Sequence, residues 1–128
     1  MKVLLDTHLL LWAAADPHRL PAAARDEIEN PANELVFSAA SLWEVSIKSA
    51  LGRPDFSVDS RLLRRGLLDN GYHELPITGE HAVGLAALPP LHKDPFDRIL
   101  IAQALAEALV LMTVDERIAK YPAPVRCF

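Results

Sequence analysis

Acidic residues occupy four places in this chain where carboxylates could bind a metal ion. Asp6 directly follows the apolar segment Val3-Leu4-Leu5, and Glu44 lies near the first turn of a predicted helix. Asp97 stands in the first turn of another predicted helix, and Asp115 comes just after a later apolar segment. A carboxylate at the end of a buried strand is costly unless it is paired, because burial removes its hydration. These four acids are therefore the first candidates for a functional site.

The chemistry of such a group of acids follows from their charge. Carboxylates that lie close together raise one another's pKa unless a cation compensates them. Oxygen ligands without a histidine and cysteine cluster favour a hard ion, Mg²⁺ or Mn²⁺, over zinc. Such an ion lowers the pKa of a bound water, which can then attack a phosphodiester in line. The residue types therefore predict hydrolysis of phosphodiester bonds, with Asp6, Glu44, Asp97 and Asp115 as catalytic residues and metal ligands.

The elements that must position these acids alternate between short apolar strands and amphipathic helices. This alternation predicts an α/β fold in which a mainly parallel sheet of four or five strands is covered by helices on both faces. The strands then end at one edge of the sheet, where ligands bind, and this edge receives all four acids and Thr113. Strands are predicted at 2–6, 35–38, within 72–77, at 110–113 and at 125–128, and helices at 8–15, 21–29, 41–51, 59–69, 78–87, 94–109 and after Asp115.

The first two acids also have structural interpretations. Asp6 could be the N-cap of the helix that follows it, although Thr7 could serve equally well. Glu44 could form an ion pair with Lys48, four residues later on the same helix. We favour metal binding for both acids, because both fall at the edge of the sheet where ligands bind.

The acids of the later helices divide between capping and binding. In Asp94-Pro95-Phe96-Asp97, both acids suit the start of a helix and its dipole. Asp94 is the better N-cap, with Pro95 at the first helical position, so Asp97 is the predicted ligand and Asp94 a secondary candidate. Asp115 either caps the last helix or serves as a fourth or water-mediated ligand.

Basic residues and histidines lie beside these acids in the sequence. Lys48 and Arg98 could contact a substrate phosphate or a developing oxyanion, and solvated surface charge is the alternative for each. The five histidines form no ligand pattern. His8 and His92 fall near the predicted edge and are interpreted as structural or solvent-facing.

The size and composition of the chain describe one domain, residues 1–128. Hydrophobic residues make up 51% of it, and the formal net charge of −4 argues against bulk electrostatic attraction to nucleic acid. The single cysteine, Cys127, cannot form an internal disulfide, which favours the cytoplasm. Asp6 and His8 interrupt the first apolar stretch, which argues against a secretory signal. No segment reaches the roughly 18 apolar residues of a membrane span.

Four short blocks of sequence surround the four acids. They are Leu4-Leu5-Asp6-Thr7-His8, Ser41-Leu42-Trp43-Glu44-Val45, Asp94-Pro95-Phe96-Asp97-Arg98 and Thr113-Val114-Asp115-Glu116. In order and spacing they resemble the signature blocks of the PIN-domain nucleases. More narrowly, they are similar to those of the VapC-type toxins of bacterial toxin–antitoxin pairs.

The resemblance implies a fold, an activity and partners. It implies a three-layer α/β/α sandwich of strand order 3-2-1-4-5, and an endoribonuclease that uses Mg²⁺ or Mn²⁺ at the four acids. Thr7 and Thr113 match hydroxyl positions beside that site. The implied substrates are structured RNAs such as tRNA and rRNA, and the implied inhibitor is a VapB-like, DNA-binding antitoxin. A homodimer is also implied, with the apolar run Leu9-Leu10-Leu11-Trp12 as a candidate interface.

Other functions compete with this interpretation. A PIN-fold nuclease could process RNA or cleave DNA, and a PIN module without activity could only bind partners. A phosphotransfer enzyme of the haloacid-dehalogenase type would use Asp6 as a covalent nucleophile. Such enzymes carry a second aspartate two residues later, where this chain has His8.

Overall fold

The computed structural model describes residues 1–128 and contains one sheet of five strands. The strands are β1 (Lys2–Leu5), β2 (Glu34–Ser38), β3 (His73–Leu75), β4 (Val110–Thr113) and β5 (Val125–Cys127). The helices are α1 (Thr7–Ala15), α2 (Ala22–Glu29), α3 (Ala39–Ala50), α4 (Ser60–Asp69), α5 (Gly79–Gly84), α6 (Pro95–Glu107) and α7 (Glu116–Ala119). The strand order is β3-β2-β1-β4-β5 and every pair is parallel, which confirms the predicted fold.

The central strand β1 is buried on both faces. Val3, Leu4 and Leu5 are all fully inaccessible to solvent, as expected for a parallel strand covered on both sides. Val3 and Leu5 belong to one apolar cluster, which includes buried residues of α1, α2 and α4. Leu4 belongs to a second cluster on the other face, dominated by α6. The sheet is therefore the middle of three layers.

Most helices begin where the sequence predicts, and the exceptions have local causes. The helix predicted at 41–51 starts two residues earlier, because the Ser38 hydroxyl accepts a hydrogen bond from the Ala40 amide at 3.0 Å and caps it. The helix predicted at 78–87 is α-helical only to Gly84 and ends in a 3₁₀ turn, Leu85–Ala87. No helix is both long enough and apolar enough to cross a membrane.

The apolar run of α1 is not an exposed surface, so its proposed use as a dimer interface is wrong. Leu9 and Leu10 are fully buried and Leu11 is 5% exposed. The reason is that α1 packs on the sheet within the first apolar cluster, where neighbouring helices cover it. Only Trp12 of this run is partly exposed.

Ala108, which ends α6, generates a prediction about stability. Its φ of 54° places an alanine in the left-handed region, where a Cβ costs about 1–2 kcal/mol. Ala108→Gly should therefore raise the free energy of unfolding by about 0.5–1 kcal/mol after the entropy cost of glycine is subtracted. Urea denaturation measures the change. Ala106→Gly, inside the same helix, is the control and should lower stability by a similar amount. A loss of stability in Ala108→Gly would contradict the argument.

Candidate active site

The carboxyl edge of the sheet carries a small acidic cavity. Its volume is about 210 Å³. The four predicted acids line it, and they come from the ends of β1 and β4, from the first turn of α6 and from α3. Glu44 lies in the second turn of α3 and not near the first as predicted, because the Ser38 cap starts this helix at Ala39. The parallel topology thus brings together residues that are far apart in the sequence. The complete lining is Asp6, His8, Glu44, Lys48, Asp94, Asp97, Val114, Asp115, Arg117 and Ile118.

Asp6 is held from two sides at the centre of this edge. Its Oδ1 accepts a hydrogen bond from the Leu9 amide at 2.9 Å, so Asp6, and not Thr7, is the N-cap of α1. Its Oδ2 accepts a hydrogen bond from the Thr113 hydroxyl at the end of β4. Burial raises the pKa of Asp6, while these two hydrogen bonds oppose that rise. Asp6 therefore caps α1 and also lines the cavity.

The two predicted hydroxyl residues lie behind the cavity and do not line it. Thr113 is fully buried, and its Oγ1 also accepts a hydrogen bond from the Asp115 amide at 3.0 Å. The Thr7 hydroxyl donates to Ser41 Oγ at 3.0 Å, which joins α1 to α3. Thr113 therefore supports Asp6 directly and Asp115 through its backbone, whereas Thr7 supports the site only by joining two helices.

Glu44 is buried with one of its oxygens unsatisfied. The residue is 3% exposed, and its Oε2 lies 2.5 Å from Lys48 Nζ, so the predicted ion pair is present. Its Oε1 is buried and accepts no hydrogen bond. A buried carboxylate oxygen without a partner is costly, and a bound cation would satisfy it.

The pKa of Asp97 is a second indication, after the unpartnered oxygen of Glu44, that negative charge in the cavity is not compensated. Burial, above all, raises its pKa from 3.8 to about 6, and the charges of Asp94, Glu44 and Asp6 add to the rise. The opposing influence is a hydrogen bond of 2.8 Å from His92 Nε2 to Asp97 Oδ2.

His92 is the residue of the site whose contact the sequence did not reveal. Its side chain is 8% exposed and lies against Asp97, so it does not face solvent. Metal-binding atoms of His92, Asp94 and Asp97 all lie within 4.8 Å of one another. The only signal in the sequence is its position two residues before the helix cap.

Asp94 and Asp115 are largely satisfied by the protein. Asp94 Oδ1 accepts hydrogen bonds from the amides of Phe96 and Asp97 at 2.8 and 3.1 Å, which confirms it as the N-cap of α6. Asp115 caps α7 through the Arg117 amide at 2.9 Å and binds the Arg117 guanidinium with both oxygens, at 3.1 and 2.8 Å. These hydrogen bonds lower the pKa of Asp115.

The two basic candidates are placed differently. Lys48 lines the cavity. Arg98 does not, because its guanidinium donates hydrogen bonds to the Pro89 carbonyl at 3.0 Å and to the Tyr121 hydroxyl at 2.9 Å. Arg98 therefore holds the loop before α6 and does not reach towards a substrate on the acidic side.

The donors of the cavity fit a divalent cation. Asp6, Glu44 and Asp97 offer carboxylate oxygens, Glu44 Oε1 lacks any partner, and Asp97 has an elevated pKa. Carboxylate oxygens suit Mg²⁺ and Mn²⁺, and an adjacent imidazole is compatible with Mn²⁺. The residues that would hold the ion are these three acids, with Asp115 at the rim.

The fold and this cavity agree with the comparison with known protein families. Residues 3–124 match the family described as PIN domain, and this chain belongs to the PIN-domain family. Within it, the chain is similar to Ribonuclease VapC22 of Mycobacterium tuberculosis, with 32% identity over 126 residues that cover 96% of this chain and 95% of that protein. The predicted resemblance to VapC-type PIN domains is thereby confirmed.

Solved structures share the fold at low sequence identity. VapBC2 from Rickettsia felis, bound to a DNA fragment from its promoter, has a chain with a TM-score of 0.72 at 15% identity, covering 99% of this chain and 98% of that one. A chain of VapBC-1 from nontypeable Haemophilus influenzae has a TM-score of 0.66 at 19% identity, with the same coverage of 99% and 98%. At these identities the likeness concerns the fold alone.

The raised pKa of Asp97 predicts how the stability of the metal-free protein depends on pH. Its pKa is about 6 when folded and 3.8 ordinarily, so the folded state binds the proton more tightly. The contribution of Asp97 to the free energy of unfolding should therefore increase as the pH falls from about 7 to about 4, by the order of 1–3 kcal/mol. Asp97→Asn should remove this gain, and urea denaturation in EDTA measures it.

The matched control for this measurement is Asp26→Asn, because Asp26 is exposed on α2, away from the cavity. It should keep the pH dependence of the wild-type protein. Identical pH profiles for Asp97→Asn and the wild-type protein would contradict the interpretation.

Proposed function

We propose that this protein is a Mg²⁺- or Mn²⁺-dependent endoribonuclease and the cytoplasmic toxin of a type II toxin–antitoxin pair. The observation that carries the proposal is the unpartnered Glu44 Oε1 in a cavity that it shares with Asp6 and Asp97. An excess of buried negative charge at the ligand-binding edge of a parallel sheet calls for a cation. The similarity to Ribonuclease VapC22 supports RNA as the substrate.

The protein's own residues prepare the site before any substrate arrives. Asp6 is immobilised by the Leu9 amide and the Thr113 hydroxyl, and Asp97 by His92. Ligands held in this way need little reorganisation when they bind an ion. A bound divalent ion would supply a water of lowered pKa and positive charge for the phosphodiester oxygens. Arg117, exposed at the rim and paired with Asp115, is placed to meet a backbone phosphate.

The antitoxin belongs to the proposal because solved complexes share this fold. Two of the similar structures are VapBC complexes, one of them bound to promoter DNA. A VapB-like, DNA-binding partner would therefore hold this chain inactive. We also propose a homodimer, whose interface lies outside the buried residues Leu9–Leu11 of α1.

Metal-dependent cleavage of RNA tests the enzymatic part of the proposal. Purified protein should cleave structured RNA in the presence of Mg²⁺ or Mn²⁺ and not in EDTA. Asp6→Asn and Asp97→Asn should each reduce cleavage by about 100-fold or more, because each removes a charged ligand from the site. Gel analysis of cleavage products over time measures the rates, and circular dichroism checks that the variants fold.

Asp26→Asn should cleave at the wild-type rate, since Asp26 lies on the surface of α2. A DNA strand of the same sequence, tested in parallel, separates this proposal from a DNA-cleaving PIN nuclease. Cleavage that persists unchanged in EDTA would show that the metal mechanism is wrong.

Toxicity in cells tests the biological role separately. Expression of the wild-type chain should arrest growth, whereas Asp97→Asn should not. Co-expression of the short reading frame next to its gene should restore growth, because the partner would block the site. Colony counts after induction measure both effects. Growth that is unaffected in several hosts, with active nuclease present, would favour an RNA-processing role over a toxin.

A further inference from the structure

Lys48 lines the acidic cavity, and its ammonium group lies beside Glu44. Its Nζ lies 2.5 Å from Glu44 Oε2, and the side chains are only 18% and 3% exposed. A solvated helix pair would be far more accessible, so this contact is more than an ordinary surface pairing at i,i+4.

Two aromatic rings fix the position of that ammonium. Lys48 Nζ lies 4.8 Å from the ring centroid of Phe56 and 5.8 Å from that of Phe96. A cation within about 6 Å of a ring is attracted by its negative face. Phe96 is itself held by an edge contact with Trp43, with the ring centroids 5.1 Å apart. The charge is therefore anchored beside Glu44.

The charges of the cavity leave room for one divalent ion. Asp6, Glu44 and Asp97 carry three negative charges when ionised, and Lys48 compensates one of them. Of the two outer acids, Asp115 is paired with Arg117, and Asp94 is offset in part by the positive end of the helix that it caps. Two negative charges therefore remain among the three inner acids, which one Mg²⁺ or Mn²⁺ would neutralise.

The contacts of Glu44 point in the same direction. Two-metal sites place their ions about 3.5–4 Å apart and share carboxylates between them. In this protein Glu44 Oε2 is already bound by Lys48, and only Oε1 is free. Glu44 therefore offers one free oxygen to a first ion, whereas its other oxygen already has a positive charge beside it, at the place where a second ion would bind.

We propose that Lys48 occupies the place of a second metal ion and limits the site to a single divalent cation. This inference rests on the metal dependence in the proposed function and deepens it. In this arrangement the ammonium group of Lys48 supplies the positive charge that a second metal ion supplies in a two-metal enzyme.

Titration of the full-length, metal-free protein with Mn²⁺ tests the inference without any RNA. Isothermal titration calorimetry should show one equivalent bound to the wild-type protein. Lys48→Met and Lys48→Gln should each bind two, and electron paramagnetic resonance should show broadening of the Mn²⁺ signal from a neighbouring ion. Lys48→Arg retains the charge and should bind one. Lys48→Gln keeps a hydrogen-bond donor for Glu44, which protects the measurement against misfolding of Lys48→Met.

The matched control is Lys2→Met, which removes a lysine charge at the opposite edge of the sheet, where Lys2 lies 4.0 Å from Glu34. It should bind one equivalent with the wild-type affinity. Two equivalents in the wild-type protein, or one in both charge-removing variants, would overturn the role of Lys48 and leave the metal dependence intact. Failure of every protein to bind Mn²⁺ would overturn the metal site itself, and this inference with it.

Discussion

The carboxylate of Asp6 is buried at the end of the central strand, and the arrangement of the whole edge depends on how it is satisfied. It accepts hydrogen bonds from the Leu9 amide and the Thr113 hydroxyl, so a single side chain joins β1, α1 and β4. Hydrogen bonds to a charged group are stronger than neutral ones, and a buried carboxylate without them would be severely destabilising. The hydrogen bonds that secure this part of the fold therefore also fix the Asp6 carboxylate beside the cavity.

Charge is divided between the rim of the cavity and its interior. At the rim, Asp115 is fully paired with Arg117, which lowers its pKa. In the interior, Glu44 retains an oxygen without a partner, and burial raises the pKa of Asp97. The protein thus compensates the acids that face solvent and leaves the inner ones in excess. This contrast supports the proposal that the cavity binds a cation.

The loop before α6 shows how distant residues support the inner acids. Pro89 and Pro90 have no backbone N–H and cannot hold the loop by ladder hydrogen bonds. Arg98 and Tyr121 replace them: Arg98 donates to the Pro89 carbonyl, and the Tyr121 hydroxyl accepts from the His92 amide at 2.9 Å. The side chain of His92 is thereby placed against Asp97. Arg98 therefore acts through the loop and not on a substrate.

The sheet order was implied by the resemblance to the PIN-domain nucleases, whereas the sequence by itself determined the parallel α/β class, most element positions and the acids of the cavity. These follow from local patterns and from one topological rule, since the parallel strands β1, β2 and β4 all end at one edge. Only the tertiary structure decided which acids are left uncompensated, because hydrogen-bond partners such as Thr113 for Asp6 and His92 for Asp97 are side-chain contacts between separate segments. It also decided that the run at Leu9 is core, since a helix that is apolar all round does not reveal from its pattern whether a partner or its own sheet covers it.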